Sequence, residues 1–135
     1  RAVAAAKTAG AKRAIVLPVS VPSHCALMHP AAERLADYLT GVQVKPPQIP
    51  VIHNVTVDRA QDPDEIRALL VRQLASPVRW VETVQGLARD ASLAIEAGPG
   101  KVLTGLGKRI VPDMITMPVL DLATLNSALE AARHA

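Results

Sequence analysis

Ser92-Leu93-Ala94-Ile95-Glu96-Ala97-Gly98-Pro99-Gly100-Lys101-Val102-Leu103-Thr104-Gly105-Leu106-Gly107-Lys108-Arg109-Ile110 reads as a strand, a turn and a helix in immediate succession. Ser92 to Ala97 is a short apolar run, and Gly98-Pro99-Gly100 closes it as a turn. The chain then enters a helix over Val102 to Ile110. Ile115 to Leu120 follows as the last strand, and Pro118 within it points to a sheet edge, since proline cannot donate to a ladder. Leu122 to Ala132 is a closing helix with Leu125, Ala128 and Leu129 on one side. Strand, helix, strand in this order requires a crossover, so the two strands are expected to run parallel.

Working back towards the start, the same alternation recurs. Ser76-Pro77 reads as a helix start, with Val81, Val84, Leu87 and Ala88 on its inner face. Asp62-Pro63-Asp64-Glu65 is another: an N-cap residue, proline at N1 and a carboxylate at N3. Ile66, Leu69, Leu70 and Leu74 form its apolar stripe. Ile49 to Val55 reads as a strand with Pro50 near its edge, and Lys45-Pro46-Pro47 as an irregular linker. Met28, Ala31, Ala32, Leu35 and Leu39 recur at helical spacing, with Pro30 in the first turn and Gly41 at the end. Arg13 to Leu17 reads as a strand. Arg1 to Ala9 is an alanine-rich helix that Gly10 stops. The expected fold class is α/β, a parallel sheet covered by helices. Ligands of such sheets sit beyond the carboxyl ends of the strands.

One loop carries chemistry. Leu17-Pro18-Val19-Ser20-Val21-Pro22-Ser23-His24-Cys25-Ala26-Leu27-Met28 leaves the expected strand and enters a helix, and its two prolines oppose regular structure. Histidine can take and return a proton near neutral pH, so His24 at this junction is a candidate general base.

Composition narrows the class. The chain has 135 residues, enough for one modest domain, and half are hydrophobic. With one Trp, one Tyr and no Phe, the core must be built from Leu, Val, Ile and Ala. A net charge of +3 without a basic block or interleaved aromatics does not argue for nucleic acid. No apolar run reaches membrane-spanning length, and no signal-peptide pattern opens the chain. The single cysteine, Cys25, excludes an intramolecular disulfide and fits a cytoplasmic setting. His24, Cys25, His29 and His53 match no standard zinc spacing. Gly98-Pro99-Gly100 lacks the full phosphate-loop and dinucleotide patterns, so it reads as a structural turn.

Three blocks together resemble the bacterial malonyl-CoA:acyl carrier protein transacylases. They are the histidine loop Pro18 to Met28, the segment Leu70-Val71-Arg72-Gln73-Leu74-Ala75-Ser76-Pro77-Val78-Arg79-Trp80, and the block Glu96-Ala97-Gly98-Pro99-Gly100-Lys101-Val102-Leu103-Thr104-Gly105-Leu106. The resemblance spans nearly the whole chain. It implies an α/β-hydrolase-like core over residues 18–135, with the end of a small ferredoxin-like subdomain over residues 1–17. It implies transfer of a malonyl group from malonyl-CoA to the phosphopantetheine thiol of acyl carrier protein, in fatty acid biosynthesis, through a serine acyl-enzyme. Both are substrates, and no cofactor is implied. His24 matches the family's base. Gln73 matches the residue whose main-chain carbonyl orients that base, and Ser23 borders the acyl pocket.

The nucleophile does not occur in these residues. The family holds its serine in a G-H-S-x-G elbow, and Ser20, Ser23, Ser76, Ser92 and Ser127 have no such setting. Ser76 is better read as an N-cap. The chain opens at Arg1 rather than Met, so it is expected to be the C-terminal part of the enzyme, with a missing N-terminal part as its partner and no activity alone. The acyltransferase domain of a polyketide synthase and a non-catalytic module that docks a carrier protein are the alternatives.

Overall fold

The structure is a computed structural model that describes residues 1–134. α1 (Ala2–Thr8) opens the chain, and Gly10 after it takes the left-handed φ of +89° that stops the helix. Arg13 to Leu17 is not a strand. The segment has no β-pairing partner among the described residues, and Ile15, Val16 and Leu17 are all more than half exposed. An apolar, β-branched sequence specifies strand propensity, but a strand also needs a neighbour for its N–H and C=O groups.

A single 3₁₀ turn, Ala26–Met28, leads into α2 (His29–Thr40), with Pro30 in the first turn and Gly41 at the C-cap. The strand expected over Ile49 to Val55 shrinks to β1 (Ile52–His53), which pairs antiparallel with β2 (Asp58–Arg59). The chain therefore holds a hairpin as well as a parallel unit. Its tight turn places Val57 at a φ of 61°.

α3 (Pro63–Ala75) begins as the sequence predicts: Asp62 Oδ1 accepts from the backbone N–H groups of Asp64 and Glu65, at 3.0 and 2.9 Å, with Pro63 in the first turn. Leu69 is buried and packs with Val55 and Ala60 of the hairpin, with Ile66 beside them, whereas Leu70 points to solvent. Ser76 is not an N-cap. It ends α3 in an extended conformation, because the residue before a proline is driven out of the helical region. α4 (Trp80–Leu87) starts only after Pro77, Val78 and Arg79. It buries Thr83 and Val84, while Val81 is exposed. Arg79 ties the α4 entry to the hairpin. Its backbone N–H donates to the Asn54 carbonyl at 3.2 Å and its guanidinium to the Thr56 carbonyl at 3.3 Å.

The parallel unit forms as expected. β3 (Leu93–Ala97), α5 (Val102–Ile110), β4 (Ile115–Val119) and α6 (Leu122–Ala132) follow in order, and β3 pairs parallel with β4 from Leu93 opposite Ile115 to Ala97 opposite Val119. α5 lies so close to β4 that a Cβ on Gly107 would stand 2.8 Å from Thr116 Cγ2. Asp121 and Thr124 cap α6 reciprocally. Ala128 is its buried contact, while Leu125 and Leu129 are largely exposed.

The surface is large for the mass. A compact protein of 14.3 kDa exposes about 6,800 Å². This chain exposes 10026 Å². Much of the excess is apolar: Val16, Ile49, Leu27 and Leu122 are each more than 70% exposed.

Candidate active site

His24 is built into the fold by two backbone carbonyls. The last turn of a helix leaves its C=O groups without intrahelical partners, and the Ser76-Pro77 break ends α3 within reach of the histidine loop. The Leu74 carbonyl accepts the His24 backbone N–H at 3.0 Å. The Gln73 carbonyl lies 3.0 Å from His24 Nδ1. A carbonyl oxygen only accepts, so Nδ1 carries the proton and donates it there. The lone pair is then left on Nε2. His24 holds a φ of 62°, a left-handed conformation that few residues other than glycine adopt. That backbone turn lets the N–H and the ring reach consecutive carbonyls of the same helix end. The residue is exposed, so Nε2 is open to a reaction partner.

The neighbours of His24 are held by local bonds. The Ser23 backbone N–H donates to the Val21 carbonyl at 2.8 Å, and Ser23 itself is exposed. The Cys25 thiol, partly buried, donates to the Pro22 carbonyl at 3.2 Å. Val19 N–H donates to the Leu17 carbonyl at 2.9 Å. The loop is therefore a run of tight turns rather than a free strand. Gln73 uses its side chain as well: Nε2 donates to the Ser76 carbonyl at 3.4 Å, closing the end of α3.

The Gly98-Pro99-Gly100 turn lies at the carboxyl end of β3, as expected, and its organiser is Glu96. The Glu96 carboxylate accepts from the backbone N–H groups of Leu103 and Thr104, at 3.1 and 2.7 Å, and from the Thr104 hydroxyl at 2.7 Å. It thus serves the unpaired N–H groups at the start of α5, where Lys101 at the N-cap offers no side-chain bond. The Thr104 hydroxyl, with the backbone N–H groups of α5, holds this carboxyl below its ordinary range.

The family resemblance brought His24 and Gln73 into one site, and the structure places His24 Nδ1 against the Gln73 carbonyl; Ser23 is adjacent to His24 in the chain. Among the described residues no hydrogen bond joins the histidine loop to the Gly98-Pro99-Gly100 turn. The Leu74 carbonyl was missed, because a backbone contact leaves no trace in side-chain identity. The role of Glu96 was missed too, although the gap from Glu96 to Thr104 across a Gly-Pro-Gly turn is a readable sign. No three His, Cys, Asp or Glu side chains gather into a metal-holding group among the described residues. No helix is long and apolar enough to cross a membrane.

Comparison with known proteins adds the context. No protein-family model matches the chain. It is 56% identical over 131 residues to the malonyl CoA-acyl carrier protein transacylase of Haemophilus influenzae, covering 96% of this chain and 42% of that one. Among solved structures, an acyl-carrier-protein S-malonyltransferase from Burkholderia pseudomallei superimposes with a TM-score of 0.87 at 51% identity, over 96% of this chain and 42% of that one. A malonyl-transacylase in complex with its type II polyketide acyl-carrier protein superimposes at 0.88 with 53% identity and the same coverage. The chain spans about two fifths of the length of the relatives it matches.

Proposed function

We propose that this chain, which belongs to the malonyl CoA-acyl carrier protein transacylase family, is the carboxy-terminal part of such an enzyme and supplies its general base. The observation that carries the reading is the pair of bonds from His24 to the end of α3, with Nδ1–H on the Gln73 carbonyl and the backbone N–H on the Leu74 carbonyl.

In this reading a serine outside these residues approaches His24 Nε2. The imidazole takes the hydroxyl proton as the serine oxygen attacks the thioester carbon of malonyl-CoA. A tetrahedral intermediate collapses, and the CoA sulfur leaves with a proton from Nε2. The second half runs in reverse: Nε2 takes the proton of the phosphopantetheine thiol of acyl carrier protein, that sulfur attacks the malonyl ester, and the proton returns to the serine. Throughout, Nδ1–H stays on the Gln73 carbonyl, the place that a carboxylate fills in the Ser-His-Asp arrangement. A neutral carbonyl fixes the tautomer without bringing a second charge to the site. Ser23, beside the base and small, leaves room for the malonyl group. The oxyanion donors and a cation for the malonyl carboxylate come from the rest of the enzyme. Residues 18–135 then belong to its α/β-hydrolase-like core, and residues 1–17 to the end of a ferredoxin-like subdomain. The setting is cytoplasmic fatty acid synthesis. The likeness to a transacylase bound to a type II polyketide carrier widens the carrier class to polyketide carriers.

The test uses the full-length protein. His24→Asn removes the base while keeping a side chain that tolerates the left-handed backbone. Transfer of labelled malonyl from malonyl-CoA to acyl carrier protein should fall about a hundredfold to ten-thousandfold, with the melting temperature little changed. Near-normal transfer in the folded variant would sink the assignment.

A further inference from the structure

An α-helix gives each carbonyl to the N–H four residues further on. Continued past Ala75, α3 would give the Gln73 carbonyl to position 77, the Leu74 carbonyl to position 78 and the Ala75 carbonyl to position 79. Position 77 is Pro77, which has no N–H to donate. Its ring also drives Ser76 into the extended conformation in which the chain leaves α3. Arg79 fixes that exit to the hairpin. Its backbone N–H goes to the Asn54 carbonyl at 3.2 Å instead of back to α3, and its guanidinium goes to the Thr56 carbonyl at 3.3 Å.

The two carbonyls released in this way are the two that hold His24. The Leu74 carbonyl accepts its backbone N–H at 3.0 Å, and the Gln73 carbonyl accepts Nδ1–H at 3.0 Å. The Ser76 N–H also reaches the Gln73 carbonyl, but at 3.4 Å, so the ring is the closer donor. The other helix ends behave differently. After α2, α4 and α6 the N–H groups of Gly41 and Val42, of Ala88 and Arg89, and of Arg133 and His134 turn back onto last-turn carbonyls of their own helix. At α3 two consecutive carbonyls go to a residue of a distant loop.

We infer that Pro77 is a positioning residue for the base: by withholding an N–H from the Gln73 carbonyl and turning the chain out of α3, it reserves the Gln73 and Leu74 carbonyls for His24. This role rests on the reading of His24 as the general base, and it acts through the tautomer. The hydrogen bond at one ring nitrogen decides which nitrogen carries the proton. With the Gln73 carbonyl free, the proton stays on Nδ1 and the lone pair on Nε2. With that carbonyl occupied from within α3, the proton is released to Nε2, where the ring can no longer accept one from a hydroxyl.

The test compares the full-length enzyme with its Pro77→Ala and Pro77→Gly variants, each checked for folding by its melting temperature. Nitrogen NMR of the labelled imidazole, at a pH where the ring is neutral, reads the tautomer of His24, assigned by the signals missing in His24→Asn. Malonyl transfer to acyl carrier protein is assayed on the same samples. The parent enzyme should show a protonated Nδ1 and a bare Nε2. Alanine at 77 supplies an N–H and lets Ser76 become helical, so α3 can run on and compete for both carbonyls. Pro77→Ala should therefore move ring protonation towards Nε2 and lower transfer about tenfold to a hundredfold. Glycine supplies the same N–H but favours the helix less. Pro77→Gly should accordingly lie between the two, and it gives the same reading if Pro77→Ala does not fold. Parent-like ring signals and transfer in folded Pro77→Ala would overturn the inference and leave the base reading intact. Reduced transfer with parent-like ring signals would make Pro77 a structural residue only, and would overturn it equally. Near-normal transfer by folded His24→Asn would instead sink the base reading, and with it the role of Pro77.

Discussion

At the scale of single residues, the site depends on backbone as much as on side chains. Gln73 shows how to separate the two. Its carbonyl receives the His24 ring at 3.0 Å, while its side chain makes only a long bond to the Ser76 carbonyl. In the full-length enzyme Gln73→Ala should therefore keep transfer within about tenfold of normal, because the carbonyl stays in place. Gln73→Pro should be severe, since proline removes a helix bond and displaces the turn that presents both carbonyls. Equal, complete loss in a folded Gln73→Ala protein would mean that the side chain carries the role. The contact of His24 with the Gln73 carbonyl was anticipated through the family resemblance, by motif order rather than by the identity of the glutamine side chain. The Leu74 carbonyl was not, for any residue except its neighbours' geometry could supply it. The left-handed turn at His24 was illegible for a related reason, since histidine does not announce that conformation as glycine does.

At the scale of elements, the helices were far easier to read than the strands. Pro63, Pro30, Asp62, Asp121 and Gly10 each act on the turn in which they stand, so local sequence decides where a helix starts or stops. Strands 13–17 and 49–55 were overread because strand propensity does not supply a pairing partner: 13–17 has none among the described residues, and 49–55 finds one only at Ile52–His53, opposite Asp58–Arg59. Ser76 was misread for a subtler reason: Ser-Pro is a start signal only if the chain turns at once, and here it continues extended to Arg79. The packing of α5 on β4 gives a prediction at this scale. Gly107→Ala would add a methyl group 2.8 Å from Thr116 Cγ2. Overpacking costs about 1–3 kcal/mol, against a helix-propensity gain of about 1 kcal/mol, so a net loss of up to about 2 kcal/mol is expected. Thr116→Ser removes the opposing methyl but keeps the hydroxyl that donates to the Thr104 carbonyl. In that background Gly107→Ala should be neutral or stabilising by urea denaturation. The same loss in both backgrounds would show that the close approach is not the cause.

At the scale of the whole molecule, the proposed function gives the chain a base without a nucleophile. Acyl transfer needs both within hydrogen-bond reach, and none of the five serines here stands in a G-H-S-x-G elbow: Ser127 is inside α6, and Ser76 ends α3. Residues 1–135 alone should thus acquire no malonyl group from malonyl-CoA by mass spectrometry. A malonyl adduct on any of their serines would contradict the division of labour proposed above. The α/β class was legible because the strand-helix-strand order of residues 92–120 is contiguous. The hairpin and the unpaired segment before the histidine loop were not, since both depend on what lies beside them. The proline in β4 has one more consequence. Pro118 faces away from β3 and has no N–H to give, so the outer side of β4 is a poor template for strand addition.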